Sequence, residues 1–315
     1  MKTAVVGINW GHVHINAFRQ LGHEVAAVVA QDPDKCSAVA RQYGIAHAFT
    51  SIEELAQVGP DLVSLAVPAH VHGDAIKKAL QLGCAVVCEK PVLGYNGRPE
   101  TYRELPEGIF FNYAYPFLQD IGIFYDRLSR FDRIGRIVID CAYNLELNRP
   151  FTSEEMFYET VSHLISLIVH RIPADSGAVR SDEQTICVTS SGGTFIEIRC
   201  RRDESLRGIS HNVTVEGSCG GRNDVRLILS GSFTTGSNWH YLPLSFNGEA
   251  VSGEYFPQED PWYTANRKSL GNIAEYVQGR QSLEQTLENG AFNLQKTMMV
   301  ERILDCLKPR QYRMD

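Results

Sequence analysis

The sequence predicts an α/β chain in two parts. An N-terminal doubly wound parallel sheet is followed by a C-terminal α+β domain with a large, mostly antiparallel sheet. Three observations predict this. Short apolar runs alternate with amphipathic stretches as far as about residue 116, the pattern of parallel strands joined by helical crossovers. The first run ends in a glycine turn, Gly7-Ile8-Asn9-Trp10-Gly11, that leads into a helix. After Gly135 the runs alternate apolar with polar residues, as in Thr194-Phe195-Ile196-Glu197-Ile198-Arg199, which suits a sheet with one exposed face. A chain of 315 residues also fits two domains of ordinary size.

Taken in order, residues 3–7 form a strand and the following helix runs to about Leu21. Glu24 to Val29 form a second strand, ending in Ala30-Gln31-Asp32-Pro33. Asp32 caps the next helix, Pro33 to Tyr43, with Pro33 in its first turn. Ala46 to Phe49 is a short strand, and Ser51 to Ala56 a short helix. Asp61 to Val67 is a strand that ends in Pro68-Ala69-His70-Val71-His72, and residues 73–82 are helical. Residues 84–88 form a buried strand, followed at once by Glu89-Lys90-Pro91. A turn over 93–97 and at most a short helix lead to the strand Ile109 to Asn112, which ends in Tyr113-Ala114-Tyr115-Pro116. Residues 1–116 thus form one dinucleotide-binding (Rossmann) domain, and 117–315 the second. In the latter, Phe117 to Arg130 is a helix, Arg136 to Leu145 a long strand, and Ser153 to His170 a helix capped by Ser153 with Glu154 and Glu155 in its first turn. Strands cover 185–189, 194–200, 209–216 and 225–229. Helices cover Trp262 to Gln278 and Ser282 to Leu307. In the last, Leu283, Leu287, Ala291, Leu294, Met298, Ile303 and Leu304 follow a helical period.

Composition excludes several classes. Net charge is −7 with signs mixed throughout, so no basic block points to nucleic acid and no polybasic helix to a membrane surface. Met1-Lys2-Thr3 runs directly into the first strand, and no apolar run approaches 18 residues, so a soluble cytoplasmic protein is expected. Eight cysteines are scattered without a Cys-x-x-Cys pair, which predicts buried free thiols rather than disulfides or zinc.

The chemistry-bearing residues gather at strand ends, the ligand-binding edge of an open parallel sheet. The glycine turn departs from G-x-G-x-x-G: Asn9 replaces the second glycine and the turn is one residue shorter. Backbone N–H groups over Gly7, Asn9, Trp10, Gly11 and His12 are the candidates to hold a pyrophosphate; the bland reading is a plain strand-to-helix turn. The second strand's tip, Ala30-Gln31, lacks the carboxylate that binds a ribose 2′-hydroxyl. Gln31 is able to donate to a 2′-phosphate and Lys35 or Arg41 to supply charge, so NADP is expected over NAD. Pro68, His72, Glu89, Lys90 and Pro91 would line the same edge. A lysine there suits proton transfer; read alone, Glu89-Lys90-Pro91 is an ordinary turn with solvated charges. Tyr115 is a second proton donor or a packed aromatic. Glu159, His163 and His170 share one helix face at i, i+4 and i+11, so Glu159 is placed to hold and tune the His163 imidazole. A metal is the poorer reading, since no third ligand has recognisable spacing; a surface carboxylate–imidazole pair is the bland one.

Together these motifs resemble the Gfo/Idh/MocA family of NAD(P)-dependent oxidoreductases over nearly the whole chain. Pro68-Ala69-His70-Val71-His72 is similar to its Pro-x-x-x-His, Glu89-Lys90-Pro91 to its most recognisable motif, and Glu159-Thr160-Val161-Ser162-His163 to its Asp-x-x-x-His. Ser166 stands where that family often has a further Asp. Gly7, Gly11 and Asn16-Ala17-Phe18, with Ala30-Gln31 and Asn112-x-x-Tyr115-Pro116, also resemble the thiazolinyl imine reductases of siderophore assembly. That branch has histidine at the position of Lys90, and its C-terminal half is longer. The resemblance implies hydride transfer between a nicotinamide cofactor and a small polar substrate such as a sugar or cyclitol, with an imine as the alternative. Lys90 would orient and polarise the reacting group, and His163 would be the acid/base. It further implies a last helix (about 282–307) packed back on the first domain, and a homodimer or homotetramer formed through the C-terminal sheet. A silent NADP-binding sensor is the competing class, against which the joint presence of Lys90, Glu159 and His163 argues.

Overall fold

The computed structural model describes residues 1–92, 108–144, 153–171, 180–181, 185–190, 192–234, 240–241, 244–251 and 260–307. The chain divides into two compact units, Met1–Phe117 with Trp262–Met298, and Leu118–Pro261 with the C-terminal remainder.

The first unit is built on strands β1 (Lys2–Val6), β2 (Glu24–Val29), β3 (His47–Phe49), β4 (Leu62–Leu65), β5 (Ala85–Glu89) and β6 (Ile109–Asn112). They are almost wholly apolar because helices cover both faces of a parallel sheet. The crossovers are α1 (Gly11–Gln20), α2 (Pro33–Tyr43) and α3 (His72–Leu80), with a 3-10 turn over Glu53–Gln57 in place of the expected Ser51 helix. Strand order is β6-β5-β4-β1-β2-β3, all parallel. The order reverses between β4 and β1, and ligands in such sheets bind in the crevice at that switch point. Gly7 follows β1, Pro68 lies just beyond β4, and Glu89 and Asn112 end β5 and β6, opposite each other in register. All four therefore stand on the carboxyl edge, as the sequence predicts.

The C-terminal reading needs two corrections: Trp262–Met298, expected within the second domain, belongs to the first unit, and the last helix is broken. The expected single helix over 282–307 is three elements: α7 (Leu283–Glu288), a strand β16 (Phe292–Asn293) and α8 (Leu294–Leu307). Ser282 caps α7 in a reciprocal box with Gln285. Gly290 then takes φ +113, and a side chain there would meet the Phe117 ring at 2.8 Å. Phe292 pairs antiparallel with Phe111, adding a seventh strand at the β6 edge. The buried Phe292 ring lies 4.5 Å from that of Tyr113. The preceding helix α6 (Pro261–Val277) packs into the same core, where Leu270 and Ile273 join Val5, Phe18 and Phe110.

The second unit holds α4 (Gln119–Leu128), α5 (Ser153–Arg171) and a nine-stranded sheet. Its main strands are β7 (Arg133–Asn144), β9 (Thr185–Thr189), β10 (Phe195–Arg202), β11 (Gly208–Cys219) and β12 (Arg222–Thr234). Short strands β8 (Arg180–Ser181), β13 (His240–Tyr241), β14 (Ser245–Phe246) and β15 (Glu249–Ala250) complete it. Pairing is antiparallel except for β7 with β10. Ile137, Ile139, Ile196, Ile198, Val213 and Val215 alternate onto the buried face. The other face carries ion pairs, Arg136–Glu197 at 2.5 Å and Arg226–Glu216 at 2.8 Å, beside the exposed Phe195. Residues 93–107, and the side chains of Ser153, Glu154 and Glu155, on which sequence expectations fell, lie outside what the structure describes.

Candidate active site

Glu89 overturns the reading of a turn with solvated charges: its carboxylate is buried, 9% exposed, at the end of β5. Burial alone would raise its pKa. Bonds from His14 and Asn112 and the nearby positive charge of Lys90 outweigh that and hold the carboxyl below its ordinary value. An ionised carboxylate only accepts, so the His14 Nε2, at 2.8 Å from Oε1, must donate. The His14 Nδ1 meets the Ser64 hydroxyl at 2.6 Å, a group able both to donate and to accept. Asn112 Nδ2 donates to Glu89 Oε1 and to Asn266 Oδ1, both at 2.6 Å. Asn266 in turn donates to the Trp262 carbonyl at 2.9 Å, which fixes which way both amides point. The network thus ties β4, α1, β5, β6 and α6 into one buried polar string. Asn112 Oδ1 is its one buried atom left without a hydrogen-bond partner among the described residues.

Lys90 follows at the carboxyl edge, its N–H 3.2 Å from Glu89 Oε2. The Lys90–Pro91 peptide is cis. His72, expected among the cofactor-binding residues, opens α3 and is fully buried. Its ring nitrogens lie 2.9 Å from the Pro91 carbonyl and 2.8 Å from that of Val67, so it ties two strand ends together. Tyr115 is also buried, its ring 6.1 Å from that of Trp262.

The glycine turn has no room for a side chain and leads into a helix start without a side-chain cap. Gly7 has φ +100, and a Cβ there would lie 2.2 Å from the Ala66 carbonyl oxygen, so the turn after β1 and the backbone just past β4 approach too closely for any side chain. No side chain caps α1 and no acidic residue stands in its first turn, which leaves its positive end facing the crevice. His12 closes the turn, bonding the Asn9 carbonyl and the Tyr263 hydroxyl, the latter at 2.9 Å. Trp10 is exposed. Ala30 and Gln31 form the tip after β2, and Asp32 caps α2 through the Asp34 and Lys35 amides, both at 3.1 Å. The ammonium of Lys35 pairs with Asp32 at 3.1 Å. Arg41 stands in the last turn of α2, roughly 12 Å along the helix from Pro33, which removes it as a source of charge at that tip.

In the second unit, Glu159 and His163 sit one turn apart on α5, both half-buried, among the buried Phe157, Val161 and Leu164. The ring of His170, further along α5, packs edge-on against Tyr125 at 5.0 Å. Ser166 spends its hydroxyl on the His163 carbonyl at 2.7 Å. A surface cavity of about 640 Å³, lined by Arg133, Arg136, Arg226 and Glu216 among others, contains none of the sequence-predicted site residues.

Sequence reasoning missed His14, Ser64 and Asn266. A signal existed for His14 alone: it stands between Val13 and Ile15 and four residues before Phe18, on the apolar face of α1, where a polar side chain needs a buried partner.

Residues 1–105 match the model of the Gfo/Idh/MocA oxidoreductase family, NAD-binding Rossmann fold. D-xylose 1-dehydrogenase (NADP(+)) 2 of Haloferax volcanii is 38% identical over 79 residues, 25% of this chain and 24% of the relative. Inositol 2-dehydrogenase of Corynebacterium glutamicum is 33% identical over 96 residues, 29% and 28% of the two chains. The chain thus spans about a quarter of the length of the curated relatives it matches. A solved myo-inositol dehydrogenase from Corynebacterium glutamicum superposes with TM-score 0.67 at 16% identity, covering 97% of this chain and 96% of that one, which shows a shared fold across both units. The particular likeness to imine reductases gains no support from these matches.

Proposed function

We propose that this chain, whose nucleotide-binding domain is that of the Gfo/Idh/MocA oxidoreductases, transfers a hydride between NADP and a carbonyl or alcohol carbon of a small polar substrate, a sugar or cyclitol. The observation that carries the reading is Lys90. It stands at the carboxyl edge of a Rossmann sheet, next to a carboxylate that the interior keeps ionised.

The cofactor supplies the hydride when bound; the protein holds, aims and moves one proton. Backbone amides at the start of α1 hold the pyrophosphate, beyond the tight turn that only a glycine at position 7 allows against Ala66. The tip Ala30-Gln31 accepts a 2′-phosphate because neither tip residue is a carboxylate and the neighbouring Asp32 is engaged by the α2 amides and Lys35. Lys90 holds and polarises the substrate oxygen. His163 gives or takes the proton, with Glu159 one turn earlier on the same helix. Tyr115, buried beside Trp262, serves as packing in this reading, and Tyr115→Phe should keep turnover within a few-fold; in an imine reductase it would cost as much as Lys90→Ala. The chain works in the cytoplasm as a homodimer or homotetramer joined through the open face of the nine-stranded sheet. Sedimentation velocity of wild type and of Phe195→Glu tests that interface.

The deciding experiment pairs calorimetry with turnover. NADP should bind more tightly than NAD, and Ala30→Asp should reverse the order. On a panel including myo-inositol and D-xylose, Lys90→Ala and His163→Ala should each lose roughly 10²- to 10⁴-fold in turnover while NADP affinity stays within a few-fold. Binding of NADP with no turnover across the panel would favour the sensor, and failure to bind either dinucleotide would end the reading.

A further inference from the structure

We propose that His14 and His72 are positioning residues for Lys90, holding its peptide from opposite sides through groups that neither ligand nor solvent reaches. The inference rests on the role given to Lys90 above.

From one side, the Lys90 N–H is directed at Glu89 Oε2. The other carboxylate oxygen is fixed by two short bonds, from His14 Nε2 and Asn112 Nδ2. Ser64, in the middle of β4, holds the far side of the His14 ring. From the other side, the Pro91 carbonyl, one residue beyond Lys90, meets the His72 Nδ1, while the His72 Nε2 is anchored on the Val67 carbonyl past the end of β4. A carbonyl oxygen cannot donate. The protonated nitrogen of the His72 ring therefore donates to the carbonyl it faces. The two histidines come from different helices, α1 and α3, and meet the chain on either side of one residue.

Ser64, His14 and Glu89 stand in the order of a hydrolytic triad. Ser64 and His14 have no exposed surface, so no acyl group reaches that hydroxyl. Their effect reaches Lys90 through the Glu89 carboxylate and the backbone on either side of the lysine. A lysine carries its ammonium on a flexible four-carbon stem, so its aim depends on how firmly its own peptide is held. A misplacement of about 1 Å is enough to cost on the order of 10²-fold in rate.

The test uses His14→Gln and His14→Asn, both polar and able to fold. Glutamine reaches from the backbone to the position of Nε2 and keeps a donor for Glu89; asparagine stops near Nδ1 and does not. Amide hydrogen exchange of peptides covering residues 86–92, read by mass spectrometry with no substrate present, should rise at least tenfold in His14→Asn and in His72→Leu. It should stay within threefold of wild type in His14→Gln, while peptides from α2 keep their wild-type rates. NADP affinity by calorimetry should hold within threefold in all three. With substrate, His14→Asn should lower kcat 10- to 100-fold at little change in KM, glutamine should restore it, and neither should lower the residual rate of Lys90→Ala any further. Equal exchange in the asparagine and glutamine variants would overturn the proposal. So would additive losses in the Lys90→Ala background. If Lys90→Ala alone keeps full turnover, the fault lies in the role assigned to Lys90, and the proposal falls with it even where the exchange data show the turn loosened.

Discussion

Replacing Gly7 by alanine perturbs one residue at the crowded meeting of β1, α1 and the end of β4. A Cβ there would stand 2.2 Å from the Ala66 oxygen and 2.7 Å from its carbonyl carbon, both backbone atoms that no rotamer change removes. The φ of +100 adds about 1 to 2 kcal/mol of conformational strain for any L side chain. Relieving the overlap adds about 1 to 3 kcal/mol of the kind seen when cores are overpacked. Together, about 2 to 5 kcal/mol should be lost, which for a cooperative unit of roughly 150 residues lowers Tm by about 4 to 20 °C. Gly22→Ala is the internal control. That residue also has positive φ, +76, but nothing lies within 4 Å of its Cβ, so it should lose only the strain. Calorimetric melting of both variants, with NADP affinity measured alongside, separates clash from strain. If the two variants melt within 2 °C of each other and bind NADP alike, the close approach at Gly7 is not what the turn depends on.

Two other outcomes are expected. Burial lowers the pKa of His211, on β11, to about 4 from an ordinary 6.5. The unfolded chain therefore binds the extra proton first, and stability present above pH 6.5 should be lost as pH falls toward 4, by up to about 3 kcal/mol. Urea midpoints for His211→Gln should be flatter over that range, and parallel wild-type and variant curves would refute this. Phe292→Ala removes a fully buried ring tilted against Tyr113 and should cost about 3 to 5 kcal/mol by urea unfolding; a loss below 1 kcal/mol would show that β16 is dispensable.

Most of the first unit was legible because its elements are locally determined. Alternating apolar runs mark the strands, Asp32-Pro33 marks the start of α2, and Gly7 marks the turn. The carboxyl-edge placement of Glu89 and Asn112 followed from strand ends alone. What escaped the sequence is what depends on distant partners. His14 joins residues 50 and 75 positions away, and Asn112 joins Asn266 across 154. The break in the last helix escaped for a related reason. Helical periodicity continues through Ala291 and Leu294, whereas the pairing of Phe292 with Phe111 that turns the chain into a strand is visible only in three dimensions. The long strands β11 and β12 extend past their apolar runs because each residue added completes a ladder with its neighbour. For His163 the helix face was readable and its neighbours are apolar, as expected; Ser166 and His170 next to it are taken up by packing and a backbone bond.

The short strand β16 also bears on how the chain is made. Until Phe292 is synthesised, β6 is an unpaired edge, apolar on both faces, and the core it completes lacks Leu270 and Ile273. At usual elongation rates the interval between Asn112 and Phe292 lasts roughly 10 to 40 s. During that time the intervening sheet of the second unit is fully translated, so the later-encoded unit has every strand it needs before the earlier one does. The nascent N-terminal part meets the cell as an open-edged sheet, the state most exposed to chance strand pairing. Two C-terminal residues thereby govern when this half of the molecule stops being a target for aggregation and chaperone capture.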